Sequence, residues 1–320
     1  MNINNTFDQF ALKLVNRLGD YYGEEYSVTI SEVMKNNGNV RHALNIRKED
    51  ETISPNIYID DLYDEYASGV TFSEIVDKII KVKSDLKCDF EINFDFLDDY
   101  EMVKDKLSIR LIGKENNDKM LLDVPHTDFY DMTTVYYINL SHDAIGRGAI
   151  LINNSFMKRW NISTERLNND AKENMMKKNP PQRLDIVDML IDMFVKHNDD
   201  GSRYVQDDIN EFVEQMETTR DNNRHMYVLT NMDKMYGASV IVYPGLLEEL
   251  ADSFDSDYYL LPSSIHEVIL IPSEEEDNGY ELSEMVKIVN EEHVDAEDIL
   301  SNHAYKYHRS NHWLEPLVNP

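Results

Sequence analysis

Apolar and polar positions alternate along this chain with two distinct periods, and the switches between them outline its elements. Phe7, Phe10, Ala11, Leu14 and Leu18 fall on one face of a helix, and Thr6 with Gln9 has capping-box spacing at its start. The stretches YSVTISEVMK and VRHALNIRK predict two extended segments around Asn37-Gly38, a strong short hairpin signal. NIYI, after Pro55, predicts a third strand. TFSEIVDKIIKVKSDL predicts a helix opened by Thr71 and Glu74, with an apolar stripe of Ile75, Ile79, Val82 and Leu86.

After the apolar run KLSIRLI, the polar segment GKENNDK is rich in turn formers and poor in apolar residues, which places a junction near 113–123. Beyond it TTVYYINL and GAILI predict strands. Ser163 opens a helix in which Leu167, Ala171 and Met175 recur every four residues, and Asn179-Pro180-Pro181 stops it. The segment from about 184 to 220 is expected to be helical, with Leu184, Val187, Leu190, Ile191, Phe194 and Val195 on one face and Ile209, Phe212, Val213 and Met216 on the next. MYVLT, ASVIVY, DYYLLP and HEVILIP predict further strands, with helices at about 245–253 and 281–292. The expected fold class is α+β in two lobes, 1–115 and 120–320, with mixed or antiparallel sheets packed against amphipathic helices.

Composition narrows the functional classes. With 320 residues, 42% of them hydrophobic, the chain can bury a full core. A single Cys88 excludes an internal disulfide and a cysteine-based zinc cluster, which suits a reducing compartment. MNINNTFDQF lacks the basic and apolar regions of a secretory signal, and no apolar run reaches the roughly 20 residues of a membrane span, so a cytoplasmic location is expected. The 61 acidic residues against 31 basic ones give a formal charge of -30, which disfavours nucleic acid and anionic membrane and favours a protein partner with a basic surface. Oligomeric state has no signature in the chain.

LPSSIHEVILIP places His266 beside Glu267 in a run that otherwise suits a strand. On a strand the two side chains point to opposite faces, and Leu270 stands where a metalloprotease H-E-x-x-H pattern needs its second histidine. A lone His266 or Glu267 facing a cleft, with His126 of PHTD as a further acid/base group, is the remaining catalytic reading, that of a hydrolase. His308 and His312 have the i, i+4 spacing that shares a metal on a helix, but the intervening YKYH alternates like a strand, which would separate them. No G-x-S-x-G elbow, phosphate-binding loop or calcium loop is present, so no cofactor is implied. Asp207, Glu211 and Glu214, joined by Asp208 and Glu217, line a polar helix face and are the expected interaction residues. Carboxylates at helical spacing also allow an acidic DNA mimic that blocks a restriction or defence protein.

The stretches KNNGNVRHALNIRKED, ISPNIYIDDLYDEYASG, LLDVPHTDFYDM, MYVLTN and LPSSIHEVILIP together resemble an uncharacterised bacterial family of gut Clostridia, catalogued as domain of unknown function 5688. The resemblance runs from about residue 5 to 312. It implies a bacterial cytoplasmic protein, carried in part on mobile elements and compatible with anti-defence or regulatory work. It supplies no activity, cofactor or catalytic residue. The expectation is therefore a protein that acts through protein–protein interaction without catalysis.

Overall fold

The computed structural model describes residues 6–49, 56–85, 95–142, 146–189, 225–274 and 279–318. It has an α+β fold whose described strands form three antiparallel sheets. The chain divides into two compact units, Met1–Asp98 with Asn139–Ile150, and Asp99–Ile138 with Leu151–Pro320.

In the first unit α1 (Phe7–Tyr22) starts after Thr6, and Phe10, Leu14 and Leu18 are its buried face. The strands β1 (Tyr26–Met34) and β2 (Val40–Lys48) pair in register from Tyr26 opposite Lys48 to Met34 opposite Val40. Asn37 and Gly38 turn the chain with φ of 57° and 68°, the left-handed region that asparagine and glycine tolerate best. A short β3 (Ile57–Tyr58) completes the sheet. The helix α2 (Asp60–Ala67) has no counterpart among the sequence expectations. Its signal is weak because none of its residues is buried, although Tyr63 and Tyr66 pack on Phe10. In α3 (Phe72–Asp85) the capping box forms as expected: Thr71 N–H donates to the Glu74 carboxylate at 2.9 Å and Glu74 N–H to Thr71 Oγ1 at 3.3 Å. Ile75 and Ile79 join the core, whereas Val82 of the same stripe is 43% exposed and Leu86 lies outside the described residues.

In the second unit a short α4 (Tyr100–Val103) precedes β4 (Leu107–Gly113), and α5 (Asp118–Leu121) precedes β5 (His126–Phe129). The strand β6 (Met132–His142) pairs with β4 and β5 through its residues 132–138, while its end from Asn139 and its partner β7 (Gly146–Leu151) as far as Ile150 belong to the first unit. The polar stretch 113–119, expected as a junction, lies inside this unit as a pinned turn. Asn117 is 2% exposed and its amide donates to Gly113 O at 2.8 Å, while Lys114 N–H donates to Asp131 O at 2.9 Å. Polar residues there satisfy backbone groups instead of marking a linker.

After α6 (Asn154–Trp160), α7 (Thr164–Lys178) is capped by Ser163, whose hydroxyl accepts from Arg166 N–H, and buries Leu167, Ala171 and Met175. Two sequence expectations fail beyond it. Residues 181–185 form β8 (Pro181–Asp185), with Leu184 opposite Val228, so the expected helix does not begin at 184. Helix begins after Asp185, whose carboxylate accepts from Val187 N–H at 2.9 Å, and residues 190–224 lie outside the described set. ASVIVY is not a strand: Gly237–Val242 is a 3-10 helix with all six residues buried. An apolar run covered on every side has no period from which strand and helix can be told apart.

The remaining elements are β9 (Tyr227–Asn231), α8 (Leu246–Phe254), β10 (Tyr258–Leu261), β11 (Val268–Pro272), α9 (Gly279–His293), β12 (Ala304–His308) and β13 (Trp313–Leu317). Six strands pair in the order β13-β12-β10-β11-β9-β8, so Pro181 and Pro316 stand in its two outer strands. The helix α9 covers β12, β10 and β13, burying Val286 with Tyr259, Leu261, Ile271 and Leu317.

Candidate functional site

His266 and Glu267 are not strand residues. They occupy a bend just before β11, held from both sides by backbone bonds: Ile265 N–H donates to Asp298 O at 2.8 Å and Ala238 N–H to Ile265 O at 3.2 Å. His266 Nδ1 accepts from Tyr236 N–H at 3.1 Å, which leaves the ring hydrogen on Nε2, 3.4 Å from Asp298 Oδ1. The carbonyl of His266 accepts from Thr230 Oγ1 at 2.8 Å. Both ring nitrogens and the carbonyl are thus engaged inside the protein. To take a substrate proton at Nδ1, the ring would first have to release Tyr236 N–H, so the geometry makes His266 a clamp between the 236 turn, β9 and the 298 loop.

The turn that His266 holds is locally strained. Lys234 and Tyr236 both have positive φ, 54° and 52°, and Gly237 follows with no room for a side chain. The Tyr236 ring lies 5.3 Å from the His266 ring and covers the Arg110 guanidinium at 3.7 Å, whose other contact is the Tyr137 ring at 3.8 Å. Burial pushes the Tyr137 hydroxyl up, and Arg110 opposes that shift. The arrangement is a packed stack of Tyr137, Arg110, Tyr236 and His266. Sequence reasoning singled out the histidine and missed its partners, because Arg110, Tyr236 and Asp298 are far from it along the chain.

The other expected residues are dispersed. His126 begins β5 on an exposed position, and its Nδ1 lies 3.0 Å from Val124 O, a contact local to its own strand end. Glu267 is half-buried and forms no ion pair among the described residues. Asp128, from the same PHTD stretch, bonds Lys114 at 2.9 Å, and that bond holds its carboxyl below the usual range.

His308 ends β12 and His312 sits in the turn before β13, with φ of 54°. They engage different partners. His308 Nδ1 lies 3.3 Å from Asp257 and Nε2 2.7 Å from Glu315, while His312 Nδ1 lies 3.5 Å from the Tyr307 hydroxyl and Nε2 3.8 Å from Glu248. The two carboxylates of His308 flank opposite nitrogens and so do not converge on one point. Among the described residues no group of three or more His, Cys, Asp or Glu is placed to hold a metal ion. Asp207, Asp208, Glu211, Glu214 and Glu217 lie outside the described residues.

The C-terminal hairpin and α8 form a further face that the sequence did not single out. Arg309 bonds both Asp252, at 3.1 Å, and Asp255, and its N–H donates to Asp257 at 3.0 Å. Lys306 lies 3.7 Å from Asp257. Beside this cluster Trp313 stacks on His308 with ring centroids 5.8 Å apart and remains 48% exposed.

These features define an α+β protein in which the most conspicuous histidine serves the fold, and among the described residues no helix is long and apolar enough to cross a membrane. The chain belongs to the family of unknown function DUF5688, whose model matches residues 7–309. No curated protein and no solved structure matches it.

Proposed function

We propose that this protein acts by binding a basic surface on another protein, without catalysis, and that the face of α8 and the β12–β13 hairpin contributes to the contact. One observation carries the reading: the acidic cluster around Arg309 borders an exposed tryptophan. Asp252, Asp255 and Asp257 share the Arg309 guanidinium and N–H with one nearby lysine, so the face keeps negative charge after its ion pairs close. Tryptophan is among the residue types most enriched at binding hot spots, and Trp313 stands beside Glu315 and His308. The overall charge of -30 supplies the long-range attraction to such a partner. A hydrolase reading is weaker, because the one lone pair that His266 would use as a base accepts Tyr236 N–H.

The cellular setting of this reading is a bacterial cytoplasm, with anti-defence work as one role for a chain carried on mobile elements. A DNA mimic is the special case in which the partner is a DNA-binding protein, and competing duplex DNA distinguishes it. The test is affinity capture from the native host at low salt, followed by elution with rising salt. The captured partner is expected to be basic, to elute as salt screens charges over roughly 8 Å, and to be retained less by Trp313→Ala. A partner whose affinity is indifferent to salt and to Trp313→Ala would overturn the proposal.

A further inference from the structure

A pocket of about 340 Å³ in the second unit is lined by the apolar side chains of Phe129, Ile241, Val242 and Leu247. Lys172, Glu248, Tyr307 and His312 supply polar groups to its lining. The volume falls in the range of small-molecule sites, roughly 300–1,000 Å³. Three different parts of the chain contribute most of it: α7, the end of the buried 3-10 helix running into α8, and the C-terminal hairpin.

Lys172 is the unusual member. Lys177 on the same helix pairs with Glu173, Lys104 with Asp170 and Lys114 with Asp128. Lys172 forms no hydrogen bond, ion pair or ring contact with any described residue, in a chain with 61 acidic residues. Burial holds its amine below the ordinary lysine range, with no neighbouring carboxylate to offset that loss of hydration. A half-buried amine with no anion beside it leaves room for a ligand to supply the counter-charge.

The remaining polar groups restrict what that anion is. Glu248 also lines the pocket and would repel a second negative charge, and its carboxylate lies 3.8 Å from His312 Nε2. Tyr307 brings a hydroxyl that remains protonated, since burial and the nearby Glu248 and Asp252 raise it above the ordinary tyrosine range. One unpaired cation and one hydroxyl donor suit one carboxylate, whereas phosphate calls for more donors. We propose that this pocket binds a small monocarboxylate with an apolar body, its carboxylate on Lys172 and its chain or ring against Phe129, Ile241, Val242 and Leu247. The pocket draws on α8 and the β12–β13 hairpin, as does the face proposed above for a protein partner, but its assignment does not rest on that reading.

The full chain is titrated by calorimetry with benzoate, hexanoate, their neutral amides and inorganic phosphate. In parallel, lysine acetylation by a limiting reagent is mapped by mass spectrometry with and without each probe. At least one carboxylate is expected to bind, at least about tenfold tighter than its amide, and to lose about tenfold or more in Lys172→Met. The same carboxylate should slow acetylation of Lys172 and leave Lys177 unaffected. The proposal is overturned if amide and carboxylate bind alike, if phosphate binds and the carboxylates do not, or if no probe binds. Should Lys172→Met fail to fold, the acetylation arm on the unaltered chain decides: a Lys172 that no carboxylate protects is a lysine whose stem covers apolar surface while its head reaches water.

Discussion

Gly237 is the position where the least substitution should do the most damage. A Cβ built there would lie 2.0 Å from Thr230 Oγ1, 2.5 Å from the His266 carbonyl oxygen and 2.8 Å from Asn231 N. Two of the three are main-chain atoms, one in the bend that His266 clamps and one in β9, so neither can swing aside as a side chain would. Gly237→Ala therefore forces the 3-10 helix away from β9 and separates Thr230 from the His266 carbonyl. Overpacking of this kind costs about 1–3 kcal/mol, and leaving the buried hydroxyl and carbonyl unpaired adds about 1–3 kcal/mol. A total of about 4 kcal/mol is a large share of the roughly 5–15 kcal/mol typical of a domain. At about 2–4 °C per kcal/mol for a unit of this size, the melting temperature should fall by about 8–16 °C. Urea unfolding followed by circular dichroism gives the free energy directly. Adding Thr230→Ala removes only the nearest atom, so the double variant should recover no more than about 1 kcal/mol relative to Gly237→Ala alone, by the same overpacking scale. As a control, Gly19 lies inside α1 with nothing within 4 Å of the point an alanine methyl would occupy, so Gly19→Ala should stabilise by about 0.5–1 kcal/mol. A Gly237→Ala chain within about 0.5 kcal/mol of the parent would refute the close approach of these three segments.

Three further outcomes are expected. Burial raises the Asp60 carboxyl, but hydrogen bonds from the His42 ring and N–H, both at 2.8 Å, outweigh it and leave the pKa lowered. Its contribution is therefore present above the unfolded aspartate pKa of about 3.9 and is lost as pH falls through the folded value, so Asp60→Asn should cost about 1 kcal/mol at neutral pH and nothing in strong acid, as melting temperatures across pH will show. Asn117→Ala removes the buried amide donor to Gly113 O and should cost about 1–3 kcal/mol in urea unfolding, a loss that a solvated linker would not show. Replacing Asp207, Glu211 and Glu214 by their amides should slow association with a captured basic partner, measured by stopped flow, while the melting temperature holds.

Where local chemistry decides an element, the sequence already reveals it. Asn37-Gly38 has the residues a left-handed turn needs, Thr71 with Glu74 closes its capping box, and Ser163 caps α7, all within a few residues of one another. Where distant segments decide, it does not. GASVIV is buried throughout, Ser239 included, because β9, the 265 bend and β4 enclose it, and enclosure erases the alternation that distinguishes a strand. Leu184 fits a helical stripe as well as a strand, and only its pairing with Val228 selects the strand. The same holds for chemistry. His266 draws notice beside Glu267, yet Tyr236 and Asp298 determine what its nitrogens do. Lys172 follows Ala171 at the margin of the buried row of α7, a placement visible in the sequence, but its lack of a carboxylate is a property of the folded chain.

The prolines at the rims of the six-stranded sheet bear on how this protein behaves when concentrated. Pro181 in β8 and Pro316 in β13 each lack the N–H that a docking strand would need, and Arg183 and Glu315 place charge in the same two strands. Any further strand would meet a broken row of donors and a charge on either rim. The six-stranded sheet is thus a poor template for growing into a fibre.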